Sequence, residues 1–150
     1  KVENVNPDTV TLTGTIRSFT PETRVKLHEE LEKACRIVEP LGGSLEFELN
    51  WGYPPTSNSP EATKIAVDAL SGLLGGENVK VADQGMGAED FSFMSQVAPG
   101  CFVRLGVHDP AWGDKVYNVH RADFRMDEDA LPVGTAALAA AALNWMNQKR

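Results

Sequence analysis

Cysteine is scarce in this chain: Cys35 and Cys101 are the only two in 150 residues. They have neither metal-type nor redox-type spacing, and they fall in different expected elements, a helix and a strand. Two buried free thiols are expected rather than a disulfide. That fits a reducing compartment, and a cytoplasmic location is the expectation. Basic residues are also in deficit, 14 Lys and Arg against 21 Asp and Glu, for a net charge of −7. Such a balance argues against nucleic acid or an anionic membrane as partner. No apolar run approaches the ~20 residues of a membrane span. No signal-peptide pattern stands at the first residues. Internal repeats are absent, and the only biased stretch is the alanine run from Ala136 to Ala142.

What is present is the apolar content of a globular protein, 42%. A chain of this length buries roughly two-thirds of its unfolded surface on folding. Thr9 to Ile16 alternates, with Val10, Leu12 and Ile16 on one face, and predicts a half-buried strand. Thr20 offers an N-cap, Pro21 the first helical position and Glu22 an acidic first turn. The helix they start is expected to run to about Val38, with Leu27, Leu31, Ala34, Cys35 and Val38 forming an apolar stripe. Pro40 and Gly42-Gly43 end it. Leu45, Phe47, Leu49 and Trp51 alternate with polar residues, a second strand. Residues 1–53 therefore read as strand–helix–strand, part of a two-layer α+β unit.

Residues 54–60 hold Pro54, Pro55 and Pro60 among small polar residues and read as a linker. The remainder, 61–150, alternates helices and strands as an α/β sheet does. Helices are expected over Glu61–Leu74, stopped by Gly75-Gly76, over Glu89–Val97, and from Asp127 to about Gln148, with Pro132 disturbing the last one's first turn. Short strands are expected at Val79–Ala82 and Cys101–Val107. The alanine run reads as a closely packed helix face.

The most informative stretch runs from Gly85 to His120. Gly85-Met86-Gly87-Ala88-Glu89-Asp90-Phe91-Ser92 is a glycine-rich turn with two adjacent carboxylates. Pro99-Gly100 and an apolar segment follow, then His120 in a polar loop before the final helix. One histidine and one carboxylate pair do not complete a metal centre. Glu89 and Asp90 are neighbours, so they cannot share a face and make a poor acid–base pair. Helix capping competes with a site role for both. His28, among Glu29 and Glu30 in mid-helix, reads as a solvated surface residue. His108, at a strand end, reads as structural or pocket-lining.

These residues resemble the C-terminal part of the metal-dependent aminoacylase and carboxypeptidase family, the hippurate-hydrolase-like N-acyl-amino-acid amidohydrolases. That group reads Gly-Ser-Glu-Asp-Phe-Ser, then Pro-Gly and an apolar strand, then His-Ser-Pro before the last helix. Asn4-Val5-Asn6-Pro7-Asp8, Gly14-Thr15-Ile16-Arg17 and Tyr53-Pro54-Pro55-Thr56-Ser57-Asn58 resemble three further family segments, in the same order. The departure is His120-Arg121-Ala122 in place of His-Ser-Pro.

The resemblance implies a fold and a chemistry. Residues 1–53 correspond to part of a satellite, or dimerisation, domain. Residues 61–150 correspond to the C-terminal part of an α/β zinc-peptidase-like catalytic domain. His120 matches the histidine that helps hold two divalent ions, whether zinc, manganese, cobalt or nickel. Asn4 and Arg17 match residues that hold the substrate carboxylate, often from a partner subunit, and a homodimer is implied. Gly87 and Glu89 fall on the rim of the substrate pocket. The general-base glutamate and most metal ligands belong to the family's N-terminal half, which nothing here resembles. The implied reaction is metal-dependent hydrolysis of N-acyl amino acids or related small amides and peptides, expected only together with that half. A non-catalytic binding or dimerisation piece of the same fold is the alternative. An unrelated α/β binding domain would leave His120 away from any pocket.

Overall fold

A computed structural model describes residues 7–148. Asn4 lies outside the described residues. The chain divides into two units, one up to Pro55 and one from Thr56 onward.

The first unit holds one helix, α1 (Pro21–Cys35). Thr20 is extended (φ −128°, ψ 150°), and its hydroxyl oxygen accepts from the Thr23 amide at 3.1 Å. Pro21 follows at the first helical position, where its missing N–H leaves no bond unmade. A short 3-10 turn, Arg36–Val38, continues the helix. The chain then reverses through Gly42 (φ 89°), and the Gly43 amide donates to the Val38 carbonyl at 2.9 Å.

The buried face of α1 keeps only the end of the expected stripe, where Cys35 and Val38 are half-buried. His28 is the buried residue, 7% exposed, with Arg24 and Cys35 half-buried beside it. Leu27 and Leu31 remain 39% and 40% exposed. The reason is Trp51, which meets the His28 ring edge-on at 4.1 Å. The Arg24 guanidinium lies 5.2 Å from the Trp51 ring and donates to the Gly52 carbonyl at 3.3 Å. An aromatic edge contact and a cation–π contact together turn the helix by about one residue from its apolar stripe. The reading of His28 as a solvated residue is therefore corrected.

Among the described residues no strand forms. This corrects the strands expected at 9–16, 45–51, 79–82 and 101–107, and with them the α+β and α/β layers. The physical cause is pairing: a strand is completed by its neighbour's hydrogen-bond ladder, and a single extended segment has none. The pattern itself survives at 44–50. Leu45, Phe47 and Leu49 are half-buried, whereas Ser44, Glu46, Glu48 and Asn50 are exposed. Near Thr9 it does not: Val10 and Leu12 are 68% and 87% exposed.

The second unit is built on α2 (Pro60–Leu74) and α4 (Ala130–Gln148), which pack together. Ile65 and Ala66 on one, and Ala130 and Ala137 on the other, form its core. Small side chains allow close approach, and Asn144 adds a bond to the Ile65 carbonyl at 3.0 Å. Ser59 caps α2 by accepting from the Ala62 amide at 3.4 Å, and Gly75 (φ 85°) ends it. The final helix begins at Ala130, later than expected. Its approach is a turn in which Ala130 and Leu131 donate to the carbonyls of Asp127 and Glu128. Pro132, lacking a donor, fits in the first turn beyond it. A shorter helix, α3 (Phe91–Val97), precedes the 101–107 segment. That segment rests on α4, where a Cβ on Gly134 would fall 2.9 Å from the Leu105 side chain. Both cysteines are free and half-buried, rather than fully buried as expected. No helix among the described residues is long and apolar enough to cross a membrane.

Candidate functional site

His120 sits in an excursion of the chain that closes on itself. The loop leaves the 101–107 segment and returns to α4 where the Asp127 amide donates to the Val107 carbonyl at 2.8 Å. His120 itself has φ 65°, the one positive φ outside glycine among the described residues. A left-handed non-glycine residue costs of order 1 kcal/mol or more, and such residues concentrate at functional turns. The residues after it hold that turn. Arg121 Nε and Nη2 donate to the two carboxylate oxygens of Asp123 at 2.8 and 3.1 Å, and the Phe124 amide donates to the Arg121 carbonyl at 3.1 Å. The fork-to-carboxylate geometry ties the two side chains across the turn. The Arg121 guanidinium, by hydrogen bond and charge, holds the Asp123 carboxyl below its usual range.

The glycine-rich turn leads into α3. Asp90 occupies the cap position of α3 but makes no side-chain cap bond. Neither carboxylate is thus seen acting as the cap that competed with a site role. The turn is held instead by Ser92, fully buried, whose hydroxyl donates to the Glu89 carbonyl at 2.6 Å. Ser92 was missed as a positioning residue; its signal was its place three residues after Glu89. Glu89 is half-buried, and Gly87 is exposed with nothing within 4 Å of an added Cβ. Close backbone approach therefore does not account for Gly87 here. At the turn's other end, a Cβ on Gly85 would meet Arg104 Nη2 at 2.8 Å, and Arg104 Nη1 donates to the Asp83 carbonyl at 3.3 Å.

Asn58 is the other residue whose role emerges only in the fold. Its amide nitrogen donates to the Phe102 carbonyl at 3.0 Å and its oxygen accepts from the Phe102 amide at 2.8 Å. One side chain thus pairs both backbone groups of a residue, as a neighbouring strand would. Ser59 adds a bond to the Gly100 carbonyl at 2.8 Å. Beside it a Cβ on Gly100 would fall 2.7 Å from the tip of the Phe91 ring, so a side chain there would have to displace the ring.

Arg17 is exposed and belongs to the first unit, whereas His120, Gly87 and Glu89 belong to the second. Among the described residues no group of three or more His, Cys, Asp or Glu side chains could hold a metal ion. The residues present therefore do not fit a metal centre on their own, and His120 stands as a single possible ligand.

The chain belongs to the peptidase family M20/M25/M40, whose pattern matches residues 5–144. It is 35% identical to the IAA-amino acid hydrolase ILR1-like 6 of Arabidopsis thaliana, over 97% of this chain and 32% of that protein. It is 33% identical to thermostable carboxypeptidase 1 of Saccharolobus solfataricus, over 97% of this chain and 37% of that protein. It is 32% identical to the putative amidohydrolase YhaA of Bacillus subtilis, over 95% of this chain and 36% of that protein. The chain thus spans about a third of the length of these relatives.

Proposed function

We propose that this chain supplies the C-terminal part of a metal-dependent amidohydrolase. Its reaction is hydrolysis of the amide bond of N-acyl amino acids or related small amides and peptides. The observation that carries the reading is His120: a left-handed residue in a loop closed at its neck, at the place where the resembled family has a metal-binding histidine. His120 contributes one ligand to a pair of divalent ions. The other ligands and the general-base glutamate come from the part of the family's length that this chain does not span. Such ions, held by His120 together with those other ligands, would supply Lewis acidity for the hydrolysis.

The remaining roles are assigned to the chain's own groups. Arg17, with Asn4, anchors the substrate carboxylate through its planar fork. Glu89, placed by Ser92, and the Gly87 turn shape the rim of the pocket. The exposed Val10 and Leu12 favour association of the first unit, consistent with a homodimer.

The test is an assay within a polypeptide of full family length, supplied with divalent metal and N-acyl amino acids. His120→Ala is expected to lower kcat by more than about a hundredfold, and Arg17→Ala to raise KM far more than it lowers kcat. Undiminished turnover in the His120 variant would overturn the reading.

A further inference from the structure

Glycine stands at position 85 although its φ is not the positive one that glycine alone takes easily. The space beside it is taken instead. A Cβ there would fall 2.8 Å from Arg104 Nη2, 3.7 Å from Cζ and 3.8 Å from Nη1. The guanidinium therefore lies where a side chain at 85 would stand. From that seat its Nη1 donates to the Asp83 carbonyl at 3.3 Å. Contact and hydrogen bond both fall at the entry of the glycine-rich turn, and both come from the 101–107 segment.

The far end of the turn is tied to the same segment. Phe91, the first residue of α3, has its ring tilted on that of Phe102, with centres 5.6 Å apart. Asn58 fixes Phe102 through both of its backbone groups. Residues 85–88, between the two ties, are exposed, and Glu89 is half-buried. The Ser92 hydroxyl holds Glu89 to α3 but bears on nothing at the entry.

An arginine suits that place for a physical reason. A planar fork can rest on a glycine and still aim an N–H at a neighbouring carbonyl, whereas an ammonium is a point charge that covers nothing. Among the described residues no ion pair includes Arg104.

We propose that Arg104 is a positioning residue: seated in the space that Gly85 leaves open, it fixes the entry of the turn, and with it Glu89, against the 101–107 segment. The place of Glu89 on the rim of the substrate pocket rests on the hydrolase reading. The pairing of Arg104 with Gly85 does not. A loosened turn lets the rim take several arrangements, which weakens substrate binding and leaves the metal centre as it was.

The experiment uses the family-length polypeptide with divalent metal and N-acyl amino acids. Arg104→Gln is expected to raise KM about tenfold, with kcat within about twofold and metal content unchanged. Arg104→Lys keeps the charge, loses the plane and is expected to behave like Arg104→Gln. Gly85→Ala evicts the guanidinium and is expected to give the same rise. The double variant Gly85→Ala/Arg104→Gln is expected to be no worse than either single one, because both remove one interaction. Amide exchange of the same proteins needs no substrate. It is expected to quicken about tenfold at 85–89 in all four variants and to stay unchanged in α2. Multiplying effects in the double variant, a wild-type KM in Arg104→Lys, or unaltered exchange at 85–89 would overturn the proposal and leave the hydrolase reading standing. Conversely, a wild-type protein that turns over no N-acyl amino acid, yet shows the exchange pattern, would sink the hydrolase reading and leave the pairing.

Discussion

His28 shows how a single residue can defeat a sequence pattern. Its neighbours in sequence are acidic and its position is mid-helix, both marks of a solvated side chain. Trp51 arrives from more than twenty residues away and covers it. Nδ1 is left buried with no hydrogen-bond partner. A buried polar atom without a partner costs about 1–3 kcal/mol. Replacing His28 by Phe keeps an aromatic edge against Trp51 and removes the orphaned atom. The variant is expected to be more stable by about 1 kcal/mol, measured by denaturant unfolding with unchanged slope. An equal or lower midpoint would show that the imidazole is satisfied in solution.

Asp123 gives a second prediction at this scale. Its carboxyl is held low, first by the hydrogen bond from Arg121 and then by that residue's charge. A depressed carboxyl contributes its interaction above its ordinary range and loses it as pH falls through the lowered value. The turn after His120 is therefore intact at neutral pH and released only in acid, below the usual aspartate value of about 3.9. The carbon-13 titration of Asp123 should have its midpoint below that value, and Arg121→Gln should return it there. A midpoint that ignores the substitution would contradict the pairing. Both side chains are largely exposed, so the pair orders the turn more than it stabilises the fold.

At the scale of elements, the helices were legible because their signals are local. Thr20-Pro21 start α1 where the cap chemistry places them and Gly75 ends α2, whereas Ser59-Pro60, read as linker, cap and open α2 one residue earlier than expected. The segment at 44–50 kept its alternation but gained no ladder, because pairing depends on a neighbour rather than on the segment itself. Asn58 was visible as a motif residue, yet its bidentate bond to Phe102 depends on contact across 44 positions of sequence. In the candidate site, His120 was singled out by the family resemblance, whereas the Ser92 bond and the Arg121–Asp123 clamp required coordinates. Asn58→Ala removes two hydrogen bonds in a partly exposed setting, for an expected loss of about 1–2 kcal/mol. Amide exchange should quicken first at Phe102. Unchanged protection there would mean that the clamp contributes nothing in solution.

The whole molecule carries far more apolar surface than its cores conceal. Among the described residues Ile65, Ala66, Ala130 and Ala137 are the buried apolar ones, while Leu138 and Leu143 on α4 are 71% and 60% exposed. Leu12 and Val81 are 87% and 99% exposed. Helices apolar on all sides are stable when covered on all sides. The isolated 150 residues are accordingly expected to associate, giving a light-scattering mass above that of one chain and rising with concentration. A concentration-independent monomer with a sharp melting transition would contradict this.

The claim that ties these scales together is that His120 is a metal ligand contributed to a site completed elsewhere in a family-length polypeptide. Its most direct test is metal content by native mass spectrometry, comparing that polypeptide with its His120→Ala variant. About two divalent ions per chain, falling to one or fewer in the variant while the fold is retained, is the predicted result. Equal metal content in the two proteins would place His120 outside the metal centre and contradict the claim.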